Sequence, residues 1–250
     1  MYFSDKIQIY SIGIDIENKH THFINLNLAS YSEIFGASEL FGALDKLPAP
    51  DIILASPPCE SWSIASAMDG GNVCWYAQDI NTLFGIVEAD NPFTIRTKEQ
   101  IDRRNQEIPH FQKHWWKTVF NRINGELCAF NTMRIIERYA PVIWIIENPQ
   151  SSKIWRYYGE IQGFRGMKNL AHYNAYDNAF PHKPTIFYSN TCFPLKRTRE
   201  KAKVVLSAKG VNDSRPIISG YNARSNIPLE LIRDILAHCI TKLKTHKERT

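Results

Sequence analysis

The sequence has no CxxC pair. Its five cysteines (Cys59, Cys74, Cys128, Cys192 and Cys239) stand far apart and are odd in number, which argues against both a disulfide framework and a zinc knuckle. Long apolar runs are missing too. The longest clean one, Val142 to Ile146, is far short of the roughly 20 residues a membrane-spanning helix needs. The N-terminus, with Asp5 and Lys6 close behind Met1, lacks the basic-then-apolar layout of a secretory leader. There is no internal repeat and no low-complexity tract. These absences lead to the expectation of a soluble protein of a reducing compartment, the cytoplasm, with no membrane partner. With 44% apolar and 22% charged residues over 250 positions, the chain can bury one globular core, with at most a small appendage.

Cations are scarce in the first third. Residues 1–93 carry 3 Lys/Arg against 12 Asp/Glu, and residues 94–250 carry 27 against 13. An acidic beginning joined to a basic remainder suggests a site for a small or cationic ligand beside a face for a polyanion. A basic solvated surface with no partner accounts for the same numbers.

Several segments have legible periods. Ile7 to Ile16 alternates, is rich in β-branched residues and ends in an acid at Asp15, so it reads as a strand. Phe23 to Leu28 suggests a second short strand. Asp51 to Ala55 is a short buried strand that stops at Pro57-Pro58, and Val142 to Ile146 is another, ending at Glu147-Asn148-Pro149. Residues 122–139 have helical spacing closed by Pro141. Pro228 opens a second helix through Leu231, Ile235 and Leu243. Strand and helix alternate, with polar groups at the strands' C-terminal ends. That pattern predicts an open α/β sheet whose loops after Ile14, Ala55 and Ile146 converge on one site.

Two of those strand ends carry chemistry. In Ser56-Pro57-Pro58-Cys59-Glu60-Ser61-Trp62-Ser63 the two prolines fix φ and remove two donors, so the turn bearing Cys59 is stiff. A Pro-Pro-Cys by itself is more often a buried structural thiol than a nucleophile; its place after a strand favours the nucleophile. Glu147-Asn148 puts an acid and an amide at the end of an apolar strand. Glu147 there can carry a proton to a ring nitrogen, with Asn148 orienting it; equally, it can cap a helix near Ser151 or pair with an Arg.

Together these elements resemble the catalytic pair of DNA cytosine-5 methyltransferases, in the short forms common in bacteriophages and mobile elements of bacteria. Further segments are similar to that family's. Asp15 resembles the acid that binds the cofactor ribose. Tyr173 to Tyr176 with Lys183 to Asn190 resembles the hairpin beside the target base, and Arg224 to Leu231 resembles the closing motif whose helix returns to the core.

The resemblance implies a Rossmann-like S-adenosylmethionine-dependent methyltransferase sheet, N-terminally truncated, with a small basic recognition insert. A catalytic core would span 1–195, with a basic and aromatic DNA-facing insertion at 93–121. A short recognition region would occupy 196–221, and a returning C-terminal helix 222–250. It implies Cys59, Glu147 and Asn148 as catalytic residues and Asp15, Ile16, Pro57 and Asn226 as contacts to S-adenosylmethionine. Ser61, Ser63, Arg103, Arg104, Lys183, Arg197 and Arg199 would contact double-stranded DNA. The implied chemistry is thiolate addition to carbon 6 of a flipped cytosine, which makes carbon 5 nucleophilic, and the implied role is protection of phage DNA from restriction.

Residues 93–121 interleave Arg96, Lys98, Arg103, Arg104, Lys113 and Lys117 with Trp115 and Trp116. The mixture suits phosphate contact and base stacking, although the tryptophans serve a core equally well. His110/His114 and His20/His22 lack a third ligand in register, so no metal is expected.

The sequence departs from the family in one large respect. No Phe-x-Gly-x-Gly precedes Asp15, and Gly13 is the only glycine there. The adenine-region acid is replaced by Asn in Asn25-Leu26-Asn27-Leu28, and the hairpin lacks an Arg-x-Arg. A missing first strand would leave an open sheet edge. The expectation is therefore a complementing N-terminal subunit or self-association. The alternative is a catalytically inactive methyltransferase-like protein that binds DNA or acts as a decoy. A thiol hydrolase finds no histidine on a neighbouring strand end.

Overall fold

The computed structural model describes residues 7–14, 21–64, 68, 72–76, 79–82, 85–88, 93–108, 112–206, 214–218 and 225–248. Its centre is a four-stranded sheet. β3 (Ile52–Ala55) lies parallel to β8 (Ile143–Pro149), and β8 continues into an antiparallel pair, β10 (Pro184–Ser189) and then β9 (Met167–His172), in the order β3-β8-β10-β9. The molecule is thus mixed α/β with a mixed sheet.

β8 explains why its sequence is almost unbroken apolar: it is covered on both faces. Side chains alternate along a strand. Ile143 and Ile145 pack with Leu231, Ile235 and Cys239 of the C-terminal helix α5 (Leu229–Lys247). Trp144 and Ile146 pack with Ala129, Met133 and Ile136 of α3 (Trp115–Tyr139). Helix, sheet and helix therefore form three layers, with β8 in the middle. Helix α5 starts immediately after Pro228, as its sequence predicts, and ends with Lys244 and Lys247, cations that suit a helix C-terminus.

Helix α3 is longer than the 122–139 the spacing suggests. Its first two turns place Trp116 and Phe120 on the exposed side, so two large apolar residues there break the inward period. At its other end Ala140 adopts the left-handed conformation (φ 40) just ahead of Pro141, an uncommon state for a residue with a Cβ.

The N-terminal strand differs from expectation. β1 is only Ser11–Gly13 and pairs in parallel with β2 (Phe23–Asn25) in a two-stranded sheet of its own. That sheet sits with α1 (Glu39–Leu44), where Leu40, Phe41 and Leu44 meet Ile12, Leu26 and Leu28 together with Ile135 and Tyr139 of α3. Among the described residues no strand pairs with the outer edge of β3, and Leu54 on that strand is 46% exposed. Two of the three expected strand ends thus meet in one sheet, and the third belongs to a separate one.

A β-ribbon follows the Cys59 loop: β4 (Trp75–Tyr76) pairs with β7 (Thr94–Ile95), and β5 (Asp79–Thr82) with β6 (Gly85–Glu88). It leads into α2 (Lys98–Glu107), which opens on a Thr97/Gln100 capping box. A short helix α4 (Ile154–Arg156) runs on as a π turn over Tyr157–Ile161. No helix among the described residues is long and apolar enough to cross a membrane.

Candidate active site

The parallel register of β3 and β8 sets Ala55 opposite Ile146, so the chains leave the sheet side by side at Ser56 and Glu147. They are joined at once. Ser56 Oγ donates to Glu147 Oε2 at 2.6 Å, and Asn148 Nδ2 donates to the Pro57 carbonyl at 2.9 Å. Two consecutive strand-end residues of β8 therefore grip two consecutive residues of the diproline turn. Tyr173, at the end of β9, donates its hydroxyl to Glu147 Oε1 at 3.1 Å. The Lys183 ammonium lies 4.9 Å from the centre of the Tyr173 ring, within cation–π range.

Glu147 and Asn148 are both buried. Each oxygen of Glu147 accepts one hydroxyl, and among the described residues the acid neither caps a helix nor pairs with an Arg. Asn148 Oδ1 has no partner among the described residues, and a buried acceptor without a donor calls for one. Burial and the charge of Glu147 hold the Tyr173 phenol protonated, far above its ordinary range, which keeps it a donor.

The thiol of Cys59 is half-buried. Burial pushes it up from its ordinary value, the Lys183 ammonium pulls it back, and Glu147 and Glu60 push it further up. The buried thiols contrast with it: Cys74 is pushed up to about 12, and Cys128 and Cys239 to about 11, all by burial. Only Cys59 and Cys192 are not buried, and of these only Cys59 lies beside the sheet edge.

The loop beyond Cys59 is braced from three sides. The Cys59 carbonyl accepts from Trp62 and Ser63 amides at 3.0 and 2.8 Å, and the Lys153 amide donates to the Trp62 carbonyl at 2.9 Å. Trp62 is fully buried and stacks on Trp75 (5.1 Å, 9°), which stacks on Phe93 (4.7 Å, 15°), with Tyr157 against Trp62 at 4.9 Å. Gly125 of α3 provides the third contact: a Cβ there would lie 1.8 Å from Ser61 Oγ. Glycine weakens a helix interior by about 1 kcal/mol; here it lets the helix touch the loop.

Other expected site residues are more scattered. Ser61 is buried against Gly125 and faces protein, not a phosphate. Ser63 is half-buried, its carbonyl accepting from Asn72. Pro57 is buried, and Asn226 is exposed just before the start of α5. Asp15 and Ile16 lie outside the described residues, as do His20 and His110. Arg103 is exposed on α2, while Arg104 pairs with Glu107 at 3.2 Å. Arg197 and Arg199 are exposed on an extended segment tied to β9 by the His172 amide and ring.

The 93–121 stretch is not uniformly outward. Phe93 is in the aromatic stack, and Arg96 is buried, donating Nε and Nη2 to the Asn72 carbonyl. Among the described residues no group of three or more His, Cys, Asp or Glu is placed to hold a metal. Sequence reasoning missed Ser56 and Tyr173 as partners of Glu147, and Gly125. Each acts through a contact between distant segments that no local period signals.

Searches against protein-family models, curated proteins and solved structures find no match for this chain.

Proposed function

We propose that this chain is a DNA cytosine-5 methyltransferase acting through a covalent Cys59 adduct, completed by a separate polypeptide at the open edge of β3. The observation that carries it is the Ser56–Glu147 hydrogen bond across two adjacent parallel strand ends. It links the turn bearing the thiol to a buried carboxylic acid, the combination that a pyrimidine ring needs for activation at carbon 5.

The chain's own residues account for the work on the base. The Cys59 thiol releases its proton to solvent and its sulfur bonds to carbon 6, while Glu147, protonated when the base enters, passes its proton to ring nitrogen 3, so the electron pair of the 5,6 double bond becomes available at carbon 5. Ser56 and Tyr173 hold the Glu147 carboxyl in place from either side. Lys183 opposes the burial that keeps the thiol neutral. Asn148 locks the turn and offers Oδ1 as an acceptor. The base must leave the duplex to reach this edge, and Arg103, Arg197 and Arg199 are exposed cations for the phosphates.

S-adenosylmethionine would supply an electrophilic methyl group. The described residues do not form a cradle for it: the Pro57 carbonyl is taken by Asn148, Asn226 is exposed, and β1 stands apart from the main sheet. Among the described residues the outer edge of β3 has no partner strand and Leu54 is exposed, which supports a complementing strand, whether from a second subunit or a second copy.

A second reading, an inactive methyltransferase-like DNA-binding or decoy protein, is favoured by the Cys59 thiol, which burial pushes away from the thiolate. One experiment separates the two. The protein is incubated with duplex DNA and tritiated S-adenosylmethionine, with and without the product of the neighbouring reading frame. Label in cytosine that disappears in Cys59→Ser supports the enzyme. DNA binding without label under every condition overturns it in favour of the second reading.

A further inference from the structure

Helix α3 opens with two tryptophans that the fold treats in opposite ways. Trp115 packs against Met68 and Ile101. Trp116 is 62% exposed, Phe120 67% and Ile123 41%, and their spacing of four and three places them on one helix face. The Trp116 and Phe120 rings meet edge to face at 6.4 Å, and His114 stacks on Trp116 at 6.3 Å. A ridge of aromatic faces therefore stands in solvent on a 25-residue helix. Exposed contiguous apolar surface of this kind marks a place where something binds.

Its setting indicates what. The first turn of α3 carries no acid; Lys117 is exposed beside the ridge, and Arg103 is exposed on α2. Asn105 of α2 clamps the approach to the ridge, accepting from the Lys113 amide and donating to the Lys113 carbonyl, both at 2.9 Å. Glu60 accepts from Asn121 Nδ2 at 3.0 Å, and that bond ties this part of α3 to the residue following Cys59. Protein interface cores are depleted of charge, whereas stacking faces flanked by cations suit unpaired bases and their phosphates.

Taking DNA as the partner, as proposed above, we infer that the Trp116–Phe120 ridge is a stacking platform for an unpaired nucleobase next to the Cys59 loop, with Lys117 meeting a flanking phosphate. The ridge would favour DNA in which one base has already left the helix.

The test is a titration of the full chain with two fluorescent duplexes, one fully paired and one carrying a single bulged 2-aminopurine. Wild-type protein should bind the bulged duplex more tightly and quench the 2-aminopurine. Trp116→Ala and Phe120→Ala should each weaken that binding by about tenfold and lose the quenching. Trp116→Phe should retain both, and affinity for the paired duplex should change much less. Unchanged bulge affinity in Trp116→Ala overturns the platform. So does an equal loss on both duplexes with a lowered melting temperature, or a loss of self-association at unchanged DNA affinity. Wild-type protein that binds neither duplex overturns the DNA-directed function as well, whereas label transfer persisting with an unaffected Trp116→Ala removes the platform alone.

Discussion

The edge where β3 and β8 end and the small sheet of β1 and β2 are built to different standards. At the first, Ser56, Pro57, Glu147, Asn148 and Tyr173 are cross-linked by three hydrogen bonds, and the following loop is clamped by stacked aromatics. At the second, two three-residue strands pair, among the described residues, only with each other, and Ile14 is 67% exposed. A buried polar network is stabilising only when its members find partners, and a short exposed strand pair gains little from its own ladder. On the proposed function, the groups assigned to base activation are the ones this network holds in place, and the groups assigned to the methyl donor are left to a complementing strand.

The comparison can be broken most decisively at the thiol and the acid. Cys59→Ser should eliminate adduct formation, and Glu147→Gln should lower the rate by roughly 10²–10⁴-fold, measured as label transfer by the complemented protein. Neither should alter DNA affinity. Next in size is Gly125→Ala, which forces a Cβ into Ser61. Overpacking of this kind costs about 1–3 kcal/mol, visible as a lower Tm and as faster proteolysis within residues 59–63.

The positioning bonds come next. Tyr173→Phe removes one donor to Glu147 without opening a cavity and should reduce turnover about tenfold while lowering Tm by only a few degrees, since a hydrogen bond contributes about 0.5–1.5 kcal/mol to stability. Smallest is Lys183→Gln. The ammonium favours the thiolate of Cys59, so its removal should move the thiol further up and shift alkylation of Cys59 to higher pH. Mass spectrometry of the Cys59 peptide after iodoacetamide treatment across pH reads this directly, with the exposed Cys192 peptide as the internal reference.

How much of this was legible beforehand follows from what each feature depends on. Val142–Ile146 announces a strand covered on both faces because nothing polar interrupts it, and Pro228 with Leu231 and Ile235 announces α5 with its correct start. Pro57-Pro58-Cys59 and Glu147-Asn148 are short, local and chemically specific, so they could be read as strand ends. The bonds that make them a site join residues 91 and 26 positions apart, and no local pattern encodes such pairings. The outward ridge at the start of α3 escaped the helix reading for the converse reason: its apolar residues face solvent, against the period that reveals helices. Ser61 lies two residues after Cys59 yet faces α3, where the chain turns on the Cys59 carbonyl.

The central claim is that Cys59 and Glu147 act on one and the same pyrimidine. Its most direct measurement is peptide mapping by mass spectrometry after incubating the complemented protein with S-adenosylmethionine and duplex DNA containing 5-fluorocytosine. The account predicts a nucleotide adduct on the Cys59 peptide that is strongly diminished in Glu147→Gln and absent in Cys59→Ser. An adduct on another cysteine, or one whose yield ignores Glu147, would contradict it.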